Sequence, residues 1–309
     1  MKEFFERINS MVGIQRNDII EKDYHLHRLL HLISTNRYLH DNLVFKGGTC
    51  LMKGYLNYYR FSEDLDFTWK NPTLWEDKNV SKVKRDCSKT IDLLIPHFAT
   101  IAKELGLVFK GDKKDPEEVH ISSGGGMVNF RMRYFSEILG IENTIKIEIY
   151  FIDEIIFPVN ERRINSFISS LDSKELEFLF KENWDEYNSE IDIICYDPRE
   201  IFIEKCRAAI TRKVFKLRDL IDLYFMEKEY KYSIGSFIKE IKKKTNFSLD
   251  LYGRYRENID VETNLPSDFE EREEMQLLIV PIPEDLEKEL KRINQELNAL
   301  REEVVSERQ

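Results

Sequence analysis

The stretch FKGGTCLMKGYLNYYRFSEDLDFTW, residues 45–69, places two glycines before a helical run and two aspartates on the strand-like run that follows it. Glycines at the start of a helix allow an anion to approach the backbone N–H groups that the first turn leaves without partners. Asp64 and Asp66 would point to the same face of a strand, where two carboxylates can share a divalent cation such as Mg²⁺. We therefore expect this stretch to bind a metal-bound triphosphate. The alternative for an isolated Asp-x-Asp is a pair of solvated charges at the edge of a sheet.

The composition is that of a protein large enough for two domains. The chain has 309 residues, of which 42% are hydrophobic and 34% are charged. No apolar run approaches the roughly 18 residues of a membrane span, and the first residues lack the apolar core of a signal peptide. The four cysteines are scattered without a Cys-x-x-Cys pair, which is typical of reduced thiols and argues against a zinc site. The sequence thus predicts a cytoplasmic protein without a membrane segment.

Charge is distributed unevenly along the chain, whose formal net charge is −10. Residues 197–256 carry 15 Lys and Arg against 9 Asp and Glu, a balance of +6. Residues 257–309 carry 6 against 16, a balance of −10. Because the acidic excess lies at the C-terminal end, the net charge does not exclude a polyanionic partner such as RNA for residues 197–256.

The periodicity of apolar residues predicts the order of helices and strands. A helix begins at Asn17 or Asp18, a short strand precedes the glycines, and a long amphipathic helix spans residues 80–105. Three strand-like runs follow, LVFKGD, MVNFRMRYF and TIKIEIYFI, with the glycines at 124–126 marking a hairpin turn. From Pro198 the pattern is helical. The predicted fold class is α/β: a core domain at residues 1–196, with a mixed sheet and flanking helices, and a mostly helical C-terminal domain at residues 197–309.

The last helical run carries apolar residues at alternating spacings of four and three. Such a helix either packs on its own domain or binds a partner helix, and the sequence leaves both open. The residues are Leu286, Leu290, Ile293, Leu297, Leu300 and Val304.

A third acid is expected on a neighbouring strand, because phosphoryl and nucleotidyl transfer often use two metal ions. In the run at residues 145–151 the odd positions are apolar, whereas Lys146, Glu148 and Tyr150 form the other face. Glu148 is the candidate third ligand, and Asp153 is the alternative.

The segment that follows Asp197 carries a second set of charges. On one continuous helix, one face would present Lys205, Ala209, Arg212, Lys216 and Asp219, opposite an apolar stripe. Three cations before the first acid could bind the outer oxygens of a triphosphate, as Lys and Arg commonly do. The alternative is a solvated charged face.

Taken together, these motifs resemble those of the AbiEii family. The resemblance covers residues from about 18 to about 228 and rests on Gly-Gly-Thr, RFSEDLDF, the Lys-x-Glu strand and EKCRAAITRKVFKLRDLIDLY. AbiEii proteins are nucleotidyltransferase-like toxins of bacterial type IV toxin–antitoxin and phage-defence systems, within the DNA polymerase β-type superfamily. Characterised members transfer nucleotides to RNA, including tRNA 3′ ends, and are neutralised by a cognate antitoxin.

The resemblance implies a role for each matched residue. The metals would be bound by Asp64, Asp66 and Glu148, and the catalytic set would also include Lys205 and Asp219. The nucleotide phosphates would be bound by Gly47, Gly48, Thr49, Ser62, Lys205, Arg212 and Lys216. Arg60 lies in the family motif just before the acids. Two positions depart from the usual pattern, since Thr49 stands where many superfamily members have Ser, and Glu148 stands where Asp is more usual.

The predicted reaction is Mg²⁺-dependent transfer of a nucleoside monophosphate from an NTP to a 3′-hydroxyl. RNA, and tRNA in particular, is the expected acceptor, and an antitoxin is the expected protein partner. Two alternatives stay open. The fold could serve a regulatory protein that binds nucleotide without chemistry, although such a binder needs no pair of metal-binding carboxylates. The acceptor could instead be a protein hydroxyl or a small molecule.

Overall fold

The computed structural model describes residues 1–14, 16–262, 264–266 and 268–309. The chain separates into two compact units. The first consists of Met1–Asp153 and Val159–Tyr196, and the second consists of Glu154–Pro158 and Asp197–Gln309. Among the described residues, no helix combines the length and the apolar character that crossing a membrane requires.

Within the described residues, seven strands form one mixed sheet in the first unit. In chain order they are β1 (Leu43–Lys46), β2 (Asp64–Trp69), β3 (Val119–Ser122), β4 (Met127–Phe135), β5 (Glu142–Tyr150), β6 (Asn160–Ile164) and β7 (Ile191–Cys195). They lie side by side in the order β3-β4-β5-β2-β1-β7-β6. β2 runs parallel to β5 and β1 runs parallel to β7, whereas the other neighbours are antiparallel. The predicted α/β class with a mixed sheet is confirmed.

Helices flank this sheet because each has an apolar face to bury. They are α1 (Lys2–Val12), α2 (Asn17–Thr35), α3 (Arg37–Asn42), α4 (Gly47–Leu51), α5 (Val80–Glu104), α6 (Lys174–Leu179) and α7 (Lys181–Tyr187). A π-helical turn, Met52–Leu56, continues α4. The sheet alternates as predicted: Ile145, Ile147 and Ile149 of β5 are fully buried, and the residues between them form a polar face.

The chain between α5 and β4 shows one correct and one wrong prediction. The predicted hairpin turn is confirmed and uses Gly124 and Gly125 at φ of +66° and +95°, but the strand before it is β3, which was not among the predicted strand-like runs. The run LVFKGD does not form a strand and contributes only one bridge, between Val108 and Arg133. The reason is that the N–H groups of residues 110 and 111 donate to the buried Glu118 carboxylate, at 2.8 and 3.0 Å, instead of to a neighbouring strand.

The second unit is helical. Its helices are α8 (Pro198–Thr211), α9 (Leu217–Tyr230), α10 (Ile238–Leu251), α11 (Gly253–Asn258), α12 (Glu273–Gln276) and α13 (Leu286–Arg308). Residues 154–158 belong to this unit because the buried Glu200 carboxylate accepts hydrogen bonds from the N–H groups of Ile156 and Phe157, at 2.9 and 2.8 Å. The same carboxylate forms a buried ion pair with Lys244.

The prediction of one continuous helix through residues 205–219 is wrong. α8 ends at Thr211, Arg212 adopts an extended conformation, and the next helix starts at Leu217. Side chains from elsewhere in the second unit donate hydrogen bonds to backbone carbonyls that lose their helical partners at this break. Asn258 donates to the carbonyl of Thr211 at 3.3 Å, and Arg301 donates to that of residue 210 at 3.3 Å. Val214, which one continuous helix would place on the apolar stripe opposite the charged face, is 68% exposed as a result.

The apolar residues of α13 are buried within the second unit. Leu290, Ile293 and Val304 are fully buried, and the other three members of the alternating set are at most 3% exposed. α13 contacts α8, α9 and α10. The helix therefore packs on its own unit, which was the first of the two alternatives.

A buried ion pair joins α2 to the π-helical turn in the first unit. Lys53 and Asp23 are both fully buried, with Nζ 2.8 Å from Asp23 Oδ1. Tyr58 and Tyr187 also donate hydrogen bonds to Asp23, at 2.9 and 2.7 Å. Burial lowers the pKa of Lys53, and the charge of Asp23 opposes that shift. Asp23 thus holds together three segments that are distant in sequence.

Replacing Asp23 with Ala is expected to lower the free energy of unfolding by about 3–5 kcal/mol, because it leaves an ammonium group buried without its counter-charge. Urea denaturation measures the loss. The double variant Asp23→Leu/Lys53→Met removes both charges and should retain more stability than Asp23→Ala. A single variant as stable as the wild type would contradict the assignment.

Candidate functional site

The paired glycines are required by side chains of the protein itself. Gly47, at φ +78°, begins α4 directly after β1, and a Cβ there would lie 3.0 Å from Asp66 Cγ and closer still to Asp66 Oδ2. A Cβ at Gly48 would lie 2.6 Å from Arg60 Nη2 and 3.4 Å from Ser62 Oγ. The sequence predicted close approach of an anion at these glycines, whereas the structure shows the Asp66 carboxylate and the Arg60 guanidinium packed against them.

Thr49 ties this loop to the strand that carries the acids. Its hydroxyl donates a hydrogen bond to the carbonyl of Asp64 at 2.5 Å, and its side chain is buried. The residue therefore sets the position of the first turn of α4 relative to the start of β2. A Ser would keep this hydroxyl but lose the methyl group that restricts its rotamer.

Three acids lie on one face of the sheet. Asp64 and Asp66 are two residues apart on β2, and Asp66 is directly opposite Glu148 on the parallel strand β5. All three are partly exposed. Paired residues on neighbouring strands point to the same side, so the register brings the predicted third acid next to the pair.

These acids do not form a preassembled metal cage. Among the described residues, no group of three or more His, Cys, Asp or Glu is placed to hold a metal ion. The chemistry of the donors suits Mg²⁺, which needs only one or two carboxylates and takes its remaining ligands from phosphate and water. Asp66 and Glu148, as immediate neighbours, are the two donors that the fold itself brings together.

Asp153, the alternative third acid, is held by other groups. Its Oδ2 accepts from Lys46 Nζ at 2.9 Å and from the Tyr196 hydroxyl at 2.6 Å. The Lys46 ammonium also lies 4.2 Å from the centre of the Tyr150 ring. The Asp153 charge is paired with an ammonium group, which makes it a poorer candidate for a metal ligand than Glu148.

Five neighbouring strands each carry one polar residue at the same position in the register. We call this line of five residues the polar row. It consists of Lys46, Asp66, Glu148, Asn129 and His120, on β1, β2, β5, β4 and β3 respectively. Of these five residues, only Asp66 and Glu148 were predicted from the sequence as site residues. The sequence feature that could have pointed to Asn129 is that its side chain is the one amide in the strand-like run MVNFRMRYF.

The second unit brings three of its predicted site residues together. Lys205 Nζ lies 2.9 Å from Asp219 Oδ1 and 2.7 Å from Asp222 Oδ2, and Arg212 forms an ion pair with Asp219. Both acids are buried, at 2% and 0% side-chain exposure. Lys216 precedes α9, and its carbonyl accepts the N–H of Asp219 at 3.1 Å. Asp222 was not predicted, because nothing in its spacing distinguishes it from an ordinary helix residue.

Cys50, which follows Thr49, is not a nucleophile. Burial raises the pKa of its thiol well above the ordinary value, and the neighbouring Cys195 thiol raises it further. A buried thiol with a raised pKa is a poor nucleophile, so we assign Cys50 no role in the chemistry.

Comparison with known proteins identifies one family. The family model described as "Nucleotidyl transferase AbiEii toxin, Type IV TA system" matches residues 31–306. A crystal structure of JHP933 from Helicobacter pylori is similar, with 20% sequence identity, a TM-score of 0.44, and coverage of 95% of this chain and 97% of that chain. A crystal structure of a candidate nucleotidyltransferase from H. pylori is 20% identical, with a TM-score of 0.40 and coverage of 91% and 94%. These two likenesses are too distant to support a conclusion. No curated protein matches the chain.

Gly47→Ala is expected to lower the free energy of unfolding more than Gly140→Ala does. Both positions have positive φ, +78° and +68°, so both variants bear a backbone strain of about 1–2 kcal/mol. Only Gly47 would also place a Cβ against Asp66, since nothing lies within 4 Å of a Cβ at Gly140. Urea denaturation of both variants measures the difference, and equal losses would contradict the close packing at Gly47.

Proposed function

The chain belongs to the AbiEii family of nucleotidyltransferase toxins of type IV toxin–antitoxin systems, and we propose that it transfers a nucleoside monophosphate from an NTP to a 3′-hydroxyl of RNA, in particular tRNA. In this reaction the acceptor oxygen forms a bond to the α-phosphorus, the bond between that phosphorus and the leaving oxygen breaks, and pyrophosphate departs. The family also implies an antitoxin as partner.

The observation that carries this proposal is the placement of Asp66 beside Glu148, on the face that also bears Asp64. We propose that these three carboxylates hold Mg²⁺. A divalent metal held by these carboxylates would make the attacking hydroxyl more acidic and would offset charge on the leaving group. A protein that only bound nucleotide would need no pair of metal-binding carboxylates, whose charges repel one another.

The loop after β1 supplies the proposed contacts to the nucleotide. Gly47 brings the backbone close to Asp66, Gly48 brings it close to Arg60, and Thr49 fixes that backbone to β2. Ser62 Oγ lies near Gly48, beside the buried Arg60. We propose that the Ser62 hydroxyl and the N–H groups of this loop bind phosphate oxygens.

We further propose that Lys205, Arg212 and Lys216 provide cations for the triphosphate. The buried Asp219 contacts both Lys205 and Arg212, and it thereby fixes the direction of two long side chains that would otherwise be mobile. Asp219 has this orienting role in the proposal, since its own charge would repel a phosphate. Cations fixed in this way can offset the charge that develops during phosphoryl transfer.

Asp64→Asn and Asp66→Asn are each expected to reduce transfer by several orders of magnitude, because metal stabilisation of the transition-state charge contributes several kcal/mol. The assay incubates the protein with each NTP labelled at the α-phosphate and total RNA, and then with total protein. Asp172→Asn, an exposed acid remote from the site in sequence, is the matched control. Label on protein instead of RNA would redirect the proposal to another acceptor.

The same variants distinguish an enzyme from a nucleotide-binding regulator in cells. Expressed alone in a bacterium, the intact chain should slow growth, whereas the Asp64→Asn chain should not. Equal growth inhibition by both chains, or near wild-type transfer by either variant in vitro, would show that the acids do not carry the activity.

Lys205→Ala should weaken NTP binding and slow single-turnover transfer, with a loss of about 1.5–3 kcal/mol, typical of a hydrogen bond to a charged group. Because Asp219 and Asp222 would lose a counter-charge, the free energy of unfolding should also fall. Lys213→Ala is the control, since Lys213 is exposed. If Lys213→Ala is equally damaging, or if Lys205→Ala lowers stability without weakening NTP binding, the proposed contact is wrong.

A further inference from the structure

The carboxylate of Glu148 is held at both of its oxygens. Asn129 Nδ2 donates to Oε1 at 3.0 Å, and the Tyr150 hydroxyl donates to Oε2 at 3.0 Å. Asn129 is the neighbour of Glu148 on β4, and Tyr150 is two residues further along β5 on the same face. With one donor on each oxygen, the carboxylate cannot rotate without losing a hydrogen bond, and each oxygen keeps a lone pair for another contact.

Asn129 makes this contact at the expense of its own amide oxygen. The residue is 5% exposed, and among the described residues Asn129 Oδ1 is buried without a hydrogen-bond partner. Turning the amide round would place this oxygen against the Glu148 carboxylate, so the NH₂ group must face Glu148. A buried acceptor without a partner costs stability, and an apolar side chain of similar size would avoid that cost. The benefit of an amide at this position is therefore its contact with Glu148.

Tyr150 is held in place from the other side. The Lys46 ammonium lies 4.2 Å from the centre of its ring, and Lys46 is itself bound to Asp153 at 2.9 Å. The attraction between this cation and the face of the ring helps to hold the ring in place. Through Tyr150, these contacts connect Lys46, which precedes Gly47 in the chain, to Glu148.

We propose that Asn129 and Tyr150 are positioning residues that hold the Glu148 carboxylate in the orientation needed to bind a divalent metal beside Asp66. The inference rests on the proposed function of Glu148. It assigns the two residues no contact with substrate. Partners that orient a metal-binding carboxylate commonly affect metal affinity or activity by about 10- to 100-fold when removed.

Asn129→Leu and Tyr150→Phe test the proposal, with Tyr134→Phe as the matched control. Tyr134 lies on the opposite face of β4, and its buried hydroxyl has no hydrogen-bond partner among the described residues. Three quantities are measured on the full chain: the free energy of unfolding, Mn²⁺ affinity by electron paramagnetic resonance, and the NTP affinity and single-turnover rate of transfer.

The expected pattern separates positioning from packing. Both test variants should lose Mn²⁺ affinity and transfer rate by about tenfold or more, with NTP affinity little changed. Asn129→Leu should be as stable as the wild type or more stable, because it removes the buried amide oxygen without a partner. The control should match the wild type in Mn²⁺ affinity and rate.

Other outcomes overturn one proposal or the other. If the wild type transfers nucleotide and the test variants behave like Tyr134→Phe, the positioning role is wrong and the proposed function stands. Loss of stability in Asn129→Leu together with unchanged Mn²⁺ affinity would show a structural role only. If the wild type transfers nothing but the test variants still bind Mn²⁺ more weakly, the proposed reaction is wrong and the positioning role stands. Absence of Mn²⁺ binding in the wild type would overturn the positioning role.

Discussion

The in-register parallel pairing of β2 with β5 is the constraint on which the candidate site depends. It sets Asp66 opposite Glu148 on one face of the sheet, at the strand spacing of about 4.8 Å. Two carboxylates at this distance repel one another unless cations or hydrogen-bond donors surround them. The polar row provides such groups on both sides, with Lys46 beyond Asp66 and Asn129 beyond Glu148. The sheet thus places the acids and also makes their proximity tolerable.

Both units use buried charge to fix side chains. Asp23 holds Lys53 in the first unit, while Asp219 and Asp222 hold Lys205 in the second. A buried ion pair adds little net stability, because the desolvation of both charges offsets their attraction. Removing one partner is nevertheless costly, so each pair keeps a long side chain in one place. For Lys205, a fixed position would serve the contact with phosphate proposed above.

The structure gives the paired glycines a second reason to be present. Sequence reasoning assigned Gly47 and Gly48 to the approach of an anion, and that role remains part of the proposal. The structure adds a requirement that exists without any ligand, because the side chains of Asp66 and Arg60 fill the space where Cβ atoms would lie. The loop and Asp66 are therefore one packed arrangement, in which a side chain at Gly47 would displace a candidate catalytic residue and one at Gly48 would displace Arg60.

The sequence by itself determined the α/β class, the hairpin turn at Gly124 and Gly125, and the polar face of β5, because local patterns specify each of them. The two-residue spacing of Asp64 and Asp66 on a strand has the same origin. Only the tertiary structure decided which strands are neighbours. β2 pairs with a strand about 80 residues later, through hydrogen bonds between backbones that carry no local signal. The break after α8 and the contacts of Asn129 and Asp222 have the same origin, since each depends on groups distant in sequence that meet only when the chain folds.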